Sequence, residues 1–214
     1  MDFQRARTPE QIENRQNEIL FACNEIYKKN GYDAVTIKGI SEMTSFTRPA
    51  IYSYYKTKEE IFMDILKEEF SLLSEDFQRR CQKTNDYSRE LFCSILADSM
   101  CDRTTLLELL SVHLNTMENN TRLERLVEFK KTVYQFFDIL QHQIGCFFAD
   151  ADEQNIKDFF DHFLIYLNGL YPHIVHSEIQ KQAMTLAGRP PMERNLRQVC
   201  YDGLLLISRT LIKN

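Results

Sequence analysis

The run Thr47-Arg48-Pro49-Ala50-Ile51-Tyr52-Ser53-Tyr54 gathers a guanidinium, two hydroxyls, two phenols and a proline within eight positions. Wound as a helix, it turns Phe46, Ala50, Ile51 and Tyr55 inward. Thr47, Arg48, Pro49, Ser53 and Tyr54 then point outward, with Tyr52 at the edge. Those outward types suit the floor of a DNA major groove. The Arg48 fork matches the O6 and N7 acceptors of guanine, and Pro49 or the Thr47 methyl can meet a thymine methyl. Thr36, Tyr52 and Lys58 suit phosphate oxygens, with backbone N–H groups of a helix opening at 57–60 as further donors. A short helical pair carrying charged residues is more often plain structure, so the spacing alone leaves both readings open.

Such a helix can read bases only if others brace it, and the flanking sequence supplies them. Thr8-Pro9-Glu10-Gln11 opens a first helix with a cap, a proline in the first turn and Gln11 completing a capping box. Ile12, Ile19, Cys23 and Ile26 follow on one face, and Asn30-Gly31 ends the helix. Thr36 caps a second helix to about Met43, with Ile37 and Ile40 inward. After a turn at Thr44-Ser45-Phe46, Thr47 caps a third helix to about Tyr54, with Pro49 in its first turn, where a missing N–H does no harm. Thr57-Lys58-Glu59-Glu60 reads as another capping box, starting a long helix with Ile61, Phe62, Ile65, Leu66 and Phe70. A longer packing helix followed by two short ones around a tight turn is the plan of a helix-turn-helix.

Charge and composition agree with that plan. The chain of 214 residues has a formal net charge of −5, yet residues 1–58 carry nine Lys and Arg against seven Asp and Glu. Within 36–58, Lys38, Arg48, Lys56 and Lys58 stand against Glu42 alone. A small basic head on an acidic body is the distribution of a nucleic-acid reader joined to a separate module. Only six glycines and five prolines occur, and the nearest two glycines are eight residues apart. That spacing excludes phosphate-binding and dinucleotide-binding glycine loops and argues against an all-β fold. MDFQRARTPEQ has no apolar h-region, so no secretory leader is expected. The longest uncharged run, His162 to Ser177, is 16 residues long and holds Asn168 and Pro172, too short and polar to span a membrane. The six cysteines (Cys23, Cys81, Cys93, Cys101, Cys146, Cys200) form no CxxC pair and sit in apolar helical patterns, as reduced core thiols of a cytoplasmic protein would.

Beyond residue 85 the periodicity predicts helices over Tyr87–Met100, Thr105–Thr116, Thr121–Phe148, Asp152–His176 and Met192–Ile212, with Gly188-Arg189-Pro190-Pro191 as the clear break. Nine phenylalanines and five tyrosines follow residue 86. Phe92, Met100, His113, Met117, Tyr134, Phe137, Phe163 and Tyr166 are candidates to line a pocket for a largely apolar or aromatic ligand, being apolar with a few polar tips. Core packing explains the same spacing. His173 with His176, and Asp158 with His162, lack the third ligand a metal needs, so neither metal nor cofactor is expected. No nucleophile and base have supporting spacing, so the chain is not expected to be an enzyme. A helical-bundle enzyme with a buried apolar substrate site is the alternative, and a helical interaction module without DNA affinity is a third reading.

Ile19-Leu20, Ala22-Cys23, Ile26-Tyr27, Gly31-Tyr32, Thr36 and Ile40-Ser41, with the run Phe46 to Ile61, closely resemble the N-terminal domain of the tetracycline-repressor (TetR) family. The resemblance covers about residues 12–66 without a gap. Two departures stand out. Ser45 replaces the family's usual turn glycine, which would strain or shift the turn. Gly39 lies inside a helix at a propensity cost of about 1 kcal/mol, where it would allow close approach to DNA. The resemblance implies an all-α fold, with an N-terminal three-helix helix-turn-helix domain over 1–57 and a C-terminal helical effector-binding and dimerisation bundle over 58–214. It implies a homodimeric, cytoplasmic transcriptional repressor that binds a pseudo-palindromic double-stranded DNA operator and is released by a small-molecule effector. Lys38 would contact DNA from the bracing helix. Thr47, Arg48, Pro49, Ser53 and Tyr54 would read bases or nearby phosphates, and Thr36, Tyr52 and Lys58 would bind backbone. The dimer interface would come from the last two helices, about 152–176 and 192–212.

Overall fold

The computed structural model describes residues 8–212; the leader reading of the first seven residues falls outside them. Among the described residues there are eleven α-helices and no strand. They fall into two compact units. One comprises residues up to Glu68 with Asn115–Lys130; the other comprises Glu69–Leu114 and residues from Lys131 onward.

The first unit is built on α1 (Pro9–Asn30), α2 (Ile37–Met43), α3 (Arg48–Tyr54) and the opening of α4 (Lys58–Gln82). Thr8 and Gln11 form both bonds of the expected capping box, and Gly31 ends α1 at φ +81°, a conformation glycine adopts without a Cβ penalty. Ile19, Cys23, Ile40, Ile51, Tyr55 and Phe62 are fully buried, and Tyr32 stacks on Phe62 at 4.6 Å between ring centroids. Burial pushes the Cys23 thiol up to about 12. Ile12 departs from its expected inward face and is 39% exposed, about two turns before Ile19, the first buried residue of α1. Ser45 causes no backbone strain, because no described residue other than glycine has a positive φ. Its N–H instead donates to the Glu18 carboxylate of α1 at 2.8 Å, which ties the turn down. Gly39 points toward α1, not outward: a Cβ there would lie 3.5 Å from Ile26 Cδ1 and 3.4 Å from Thr36 Oγ1.

Glu60 is the unusual residue of this unit. Its side chain has no exposed surface. Arg122 donates to it from Nε at 2.5 Å and from Nη2 at 2.9 Å, and the Arg125 guanidinium lies 3.6 Å away. Thr57 accepts the Glu60 N–H at 3.2 Å, as a capping box requires, but the Glu60 carboxylate takes the N–H of Lys56 at 2.7 Å. Half of the expected box therefore forms, because the carboxylate is committed to two arginines. Burial pushes this carboxyl up, but the hydrogen bonds from Arg122, Lys56 N–H and Arg122 N–H outweigh it and hold it below the usual range.

The second unit takes the rest of α4, α5 (Arg89–Cys101), α6 (Thr104–Glu108) and a π turn (Leu109–His113), whereas α7 (Leu114–Asn119) belongs, but for Leu114, to the first. The second unit continues with most of α8 (Leu123–Phe147), α9 (Glu153–Ile174), α10 (Glu178–Leu186) and α11 (Leu196–Ile207), which ends in a 3-10 turn over Ser208–Leu211. The π turn interrupts the single helix expected at 105–116. Periodicity did not anticipate α10, which Ser177 opens with a capping box and in which no residue is buried. The last helix begins at Leu196, not Met192, because Asn195 accepts the N–H of Gln198 and caps it there. Phe77, Phe92, Phe136, Phe159 and Phe163 form an aromatic core, with Phe159 and Phe163 stacked at 5.7 Å. Helices α5 and α11 are cross-linked by the Arg197–Asp98 ion pair and by Arg197 to Ser94 Oγ at 3.0 Å. All six cysteines are free thiols. Cys101 is half-buried and Cys146 is exposed, so not all are core thiols as expected: position 146 falls on the outer face of α8.

The hydroxyl end of the Tyr166 ring of α9 sits against Gly203 of α11 and donates to Val199 O at 2.6 Å. A Cβ at 203 would overlap the ring. Gly203→Ala is expected to lower stability by up to about 2 kcal/mol in chemical denaturation, since overpacking of about 1–3 kcal/mol outweighs a helix-propensity gain of about 1. Adding Tyr166→Leu should recover part of the loss.

Glu60→Gln should cost about 2–3 kcal/mol at neutral pH, less than the roughly 3–5 kcal/mol for breaking a fully buried pair, because Arg122 is 45% exposed. A depressed carboxylate contributes its stability above its unfolded pKa and loses it as pH falls through the folded one. The difference between the two proteins should therefore hold above pH 4.5, the ordinary value, and shrink on acidification below it. Denaturation midpoints across that range test both.

Candidate nucleic-acid interface

Helix α3 is held from one side only. Phe46, Ile51 and Tyr55 are buried, and Ala50 is half-buried. Thr47, Arg48, Pro49, Tyr52 and Ser53 are exposed, and Tyr54 is half-buried. Arg48 carries no ion pair or hydrogen bond to another described residue, so its five donors are available to a ligand. Thr47 occupies the N-cap position, but its side chain accepts no capping bond, unlike the expected cap. Pro49 explains part of this, having no N–H to offer at the second helical position. The Thr47 hydroxyl and methyl are left outward. Ser53 spends its proton on Ala50 O at 2.6 Å, which leaves its oxygen as an acceptor.

The flanking residues differ in how committed they are. Thr36 is exposed and caps α2 by accepting Gly39 N–H at 3.0 Å. Lys38 pairs with Glu42 at 3.7 Å, both about two-thirds exposed, a contact worth little and easily exchanged for a phosphate. Lys58 is more firmly held. Its ammonium donates to Tyr32 O at 2.9 Å and sits 4.3 Å from the Tyr32 ring centroid. Lys56 donates to Tyr52 O at 2.7 Å. The exposed set Thr36, Lys38, Thr47, Arg48, Pro49, Tyr52 and Ser53 lies in the first unit, on α2, α3 and their caps.

One part of this neighbourhood has no local sequence signal. The carbonyl of Tyr54, at the C-terminal end of α3, accepts from Arg125 Nη2 at 2.8 Å and from Arg122 Nη2 at 3.4 Å. Both arginines come from more than 60 positions away. Arg125 also donates to Asp64 at 2.7 Å and lies over the Tyr55 ring at 4.4 Å. Tyr55 in turn donates to Asp64 at 2.9 Å, and burial followed by that carboxylate pushes its phenol well up.

The candidate pocket residues divide. Met117 is fully buried in the first unit; the other seven belong to the second. Phe92, Met100 and Phe163 are buried, and Phe92 packs on Phe148 at 5.2 Å and Phe147 at 5.5 Å. His113 is half-buried in the π turn. Tyr134 is 58% exposed beside Phe137, itself edge-on to Phe160 at 5.5 Å. Tyr166 is occupied by its bond to Val199. His162 bonds Asp158 O at 2.6 Å, and His173 meets the Arg194 guanidinium at 3.1 Å. No helix among the described residues is long and apolar enough to cross a membrane.

Known proteins place this geometry. Residues 19–65 match the family described as bacterial regulatory proteins, tetR family, and residues 67–209 match the tetracyclin repressor-like C-terminal domain. The HTH-type transcriptional regulator QacR of Staphylococcus aureus is 35% identical over 75 residues, 34% of this chain and 39% of that protein. The uncharacterised HTH-type transcriptional regulator YfiR of Bacillus subtilis is 35% identical over 60 residues, 28% of this chain and 29% of that protein. The chain thus spans about a third of the length of these curated relatives. Among solved structures, the regulator FadR from Bacillus subtilis, in complex with stearoyl-CoA, superposes with a TM-score of 0.61 at 13% identity, covering 89% of this chain and 96% of that one. A TetR/AcrR-family regulator from Thermobifida fusca gives 0.56 at 21% identity, covering 91% and 96%. Both share the fold. With both domains matched in order over most of its length, the chain belongs to the tetracycline-repressor (TetR) family of bacterial regulatory proteins.

Proposed function

We propose that this protein is a ligand-responsive transcriptional repressor that binds a pseudo-palindromic DNA operator as a homodimer inside the cell. The observation that carries the reading is the unpartnered Arg48 on the exposed face of α3, flanked by the outward Thr47, Pro49, Tyr52 and Ser53. Arg48 reads guanine, Thr47 and Pro49 touch thymine methyls, and Ser53 and Tyr54 contact bases or nearby phosphates. Thr36, Lys38, Tyr52 and Lys58 hold backbone phosphates, Lys58 by giving up its bond to Tyr32. The DNA-binding head runs over 1–57 and the effector-binding and dimerisation body over 58–214.

Dimerisation uses α9 and α11. In support, Ile165 of α9 is 74% exposed and Leu206 of α11 is 62% exposed, apolar side chains that a partner would cover. The effector is a largely apolar or aromatic small molecule, bound in the second unit among Phe92, Met100, His113, Tyr134, Phe137, Phe163 and Tyr166. The long-chain acyl thioester in the FadR structure is consistent with that chemistry. An effector that prefers the dimer with wrongly spaced heads lowers operator affinity by population shift.

Selection of bound duplexes from a random pool tests the reading, with a two-fold-symmetric consensus expected. Against the selected duplex at fixed salt, Arg48→Ala should lose about 10- to 100-fold in affinity, the value of a bidentate base contact. Enrichment of nothing, or unchanged binding by Arg48→Ala, rules the assignment out.

A further inference from the structure

We propose that Arg122 and Arg125 are positioning residues for the recognition helix α3, setting its angle through the Tyr54 carbonyl; the proposal rests on α3 being the DNA-reading element. A helix leaves its last carbonyls unpaired, and in α3 the Tyr54 oxygen is filled by guanidinium N–H groups from a distant part of the chain. Arg125 makes the decisive contacts. One arm of its fork holds Tyr54 O, the other holds Asp64 of α4, and its plane covers Tyr55. Arg122 secures the same junction through buried Glu60. Together they connect the end of α3, the residue after it and the first turns of α4 to the segment 115–130 of the same compact unit.

Direct DNA contact by these arginines fits the surroundings poorly. They line an open cleft with Ser53, Tyr54, Glu124 and Glu128, and both already face the carboxylates of Glu60 or Asp64. A phosphate there would meet as much negative as positive charge. Their effect on DNA binding therefore runs through the pose of α3. Displacing 115–130 would pull the donors off Tyr54 O and release the helix end. A planar fork is needed, since a lysine carries charge but cannot bridge Tyr54 O and Asp64 at once.

The test uses the full chain with Arg125→Ala, Arg125→Lys and the milder Arg122→Ala. Each is titrated over a salt series with the duplex selected by the wild type and with a random-sequence duplex of equal length, at matched folded fraction by circular dichroism. Arg125→Ala and Arg125→Lys should lose about 10-fold or more in affinity for the selected duplex, the scale of charged hydrogen bonds. Affinity for the random duplex should change less than about twofold, and the salt slope should stay the same. Equal losses on both duplexes would mean a merely structural role and overturn the proposal. A slope shallower by about one would mean a direct phosphate contact, and full rescue by Arg125→Lys would mean charge alone; either also overturns it. Amide hydrogen exchange judges the clamp without DNA. Exchange across α3 should quicken in Arg125→Ala, and unchanged exchange overturns the clamp. If the wild type selects no duplex, the regulator reading fails on its own while the exchange arm still decides this one.

Discussion

A fully buried carboxylate cannot stand alone. Removing Glu60 from water carries a cost that only charged donors offset, so wherever the chain places this residue it must also bring cations. Two arginines from more than 60 positions away meet that demand, and the first compact unit is consequently assembled from two separated stretches of sequence. The same guanidinium groups then reach Tyr54 O, Tyr55 and Asp64. One electrostatic requirement thereby organises the end of α3, the start of the long helix after it, and the segment that supports both.

The recognition face follows from a division of labour along seven residues. Ile51, with Phe46 and Tyr55 at its flanks, supplies the apolar anchor, and the exposed side chains keep their polar groups because nothing in the unit needs them. Arg48 is the clearest case, a charged residue without a described partner in a chain where other arginines are tied into networks. Lys58 is the contrast. Its ammonium is already engaged by the Tyr32 carbonyl and ring face.

The second unit rests on different physics. Phenylalanines pack edge-on and stacked around Phe92 and Phe159, and specificity between α9 and α11 comes from steric fit, with the hydroxyl end of the Tyr166 ring against Gly203. Of the aromatic residues that suggested a ligand pocket, Phe92 and Phe163 belong to this core, whereas Tyr134 is exposed. Polar tips such as Tyr166 OH have found backbone partners.

The fold class, the helix-turn-helix and the family were legible in the sequence, because each depends on local chemistry. Capping residues, a proline in the first turn, a glycine at a helix end and apolar spacing act over three to seven positions. Errors arose where a distant partner decided the outcome. The Thr57–Glu60 box was half right because Arg122 takes the carboxylate, and Gly39 and Ser45 were misjudged because α1 lies behind both. The π turn at Leu109–His113 and the helix α10, which Ser177 caps and in which no residue is buried, were not anticipated. By itself the sequence determined which residues prefer helix and which face of α3 is polar. Only the tertiary structure decided that Glu60 is buried, that Arg122 and Arg125 hold the end of α3, and that Tyr166 lies against Gly203, since contacts across 30 to 70 positions leave no local pattern to read.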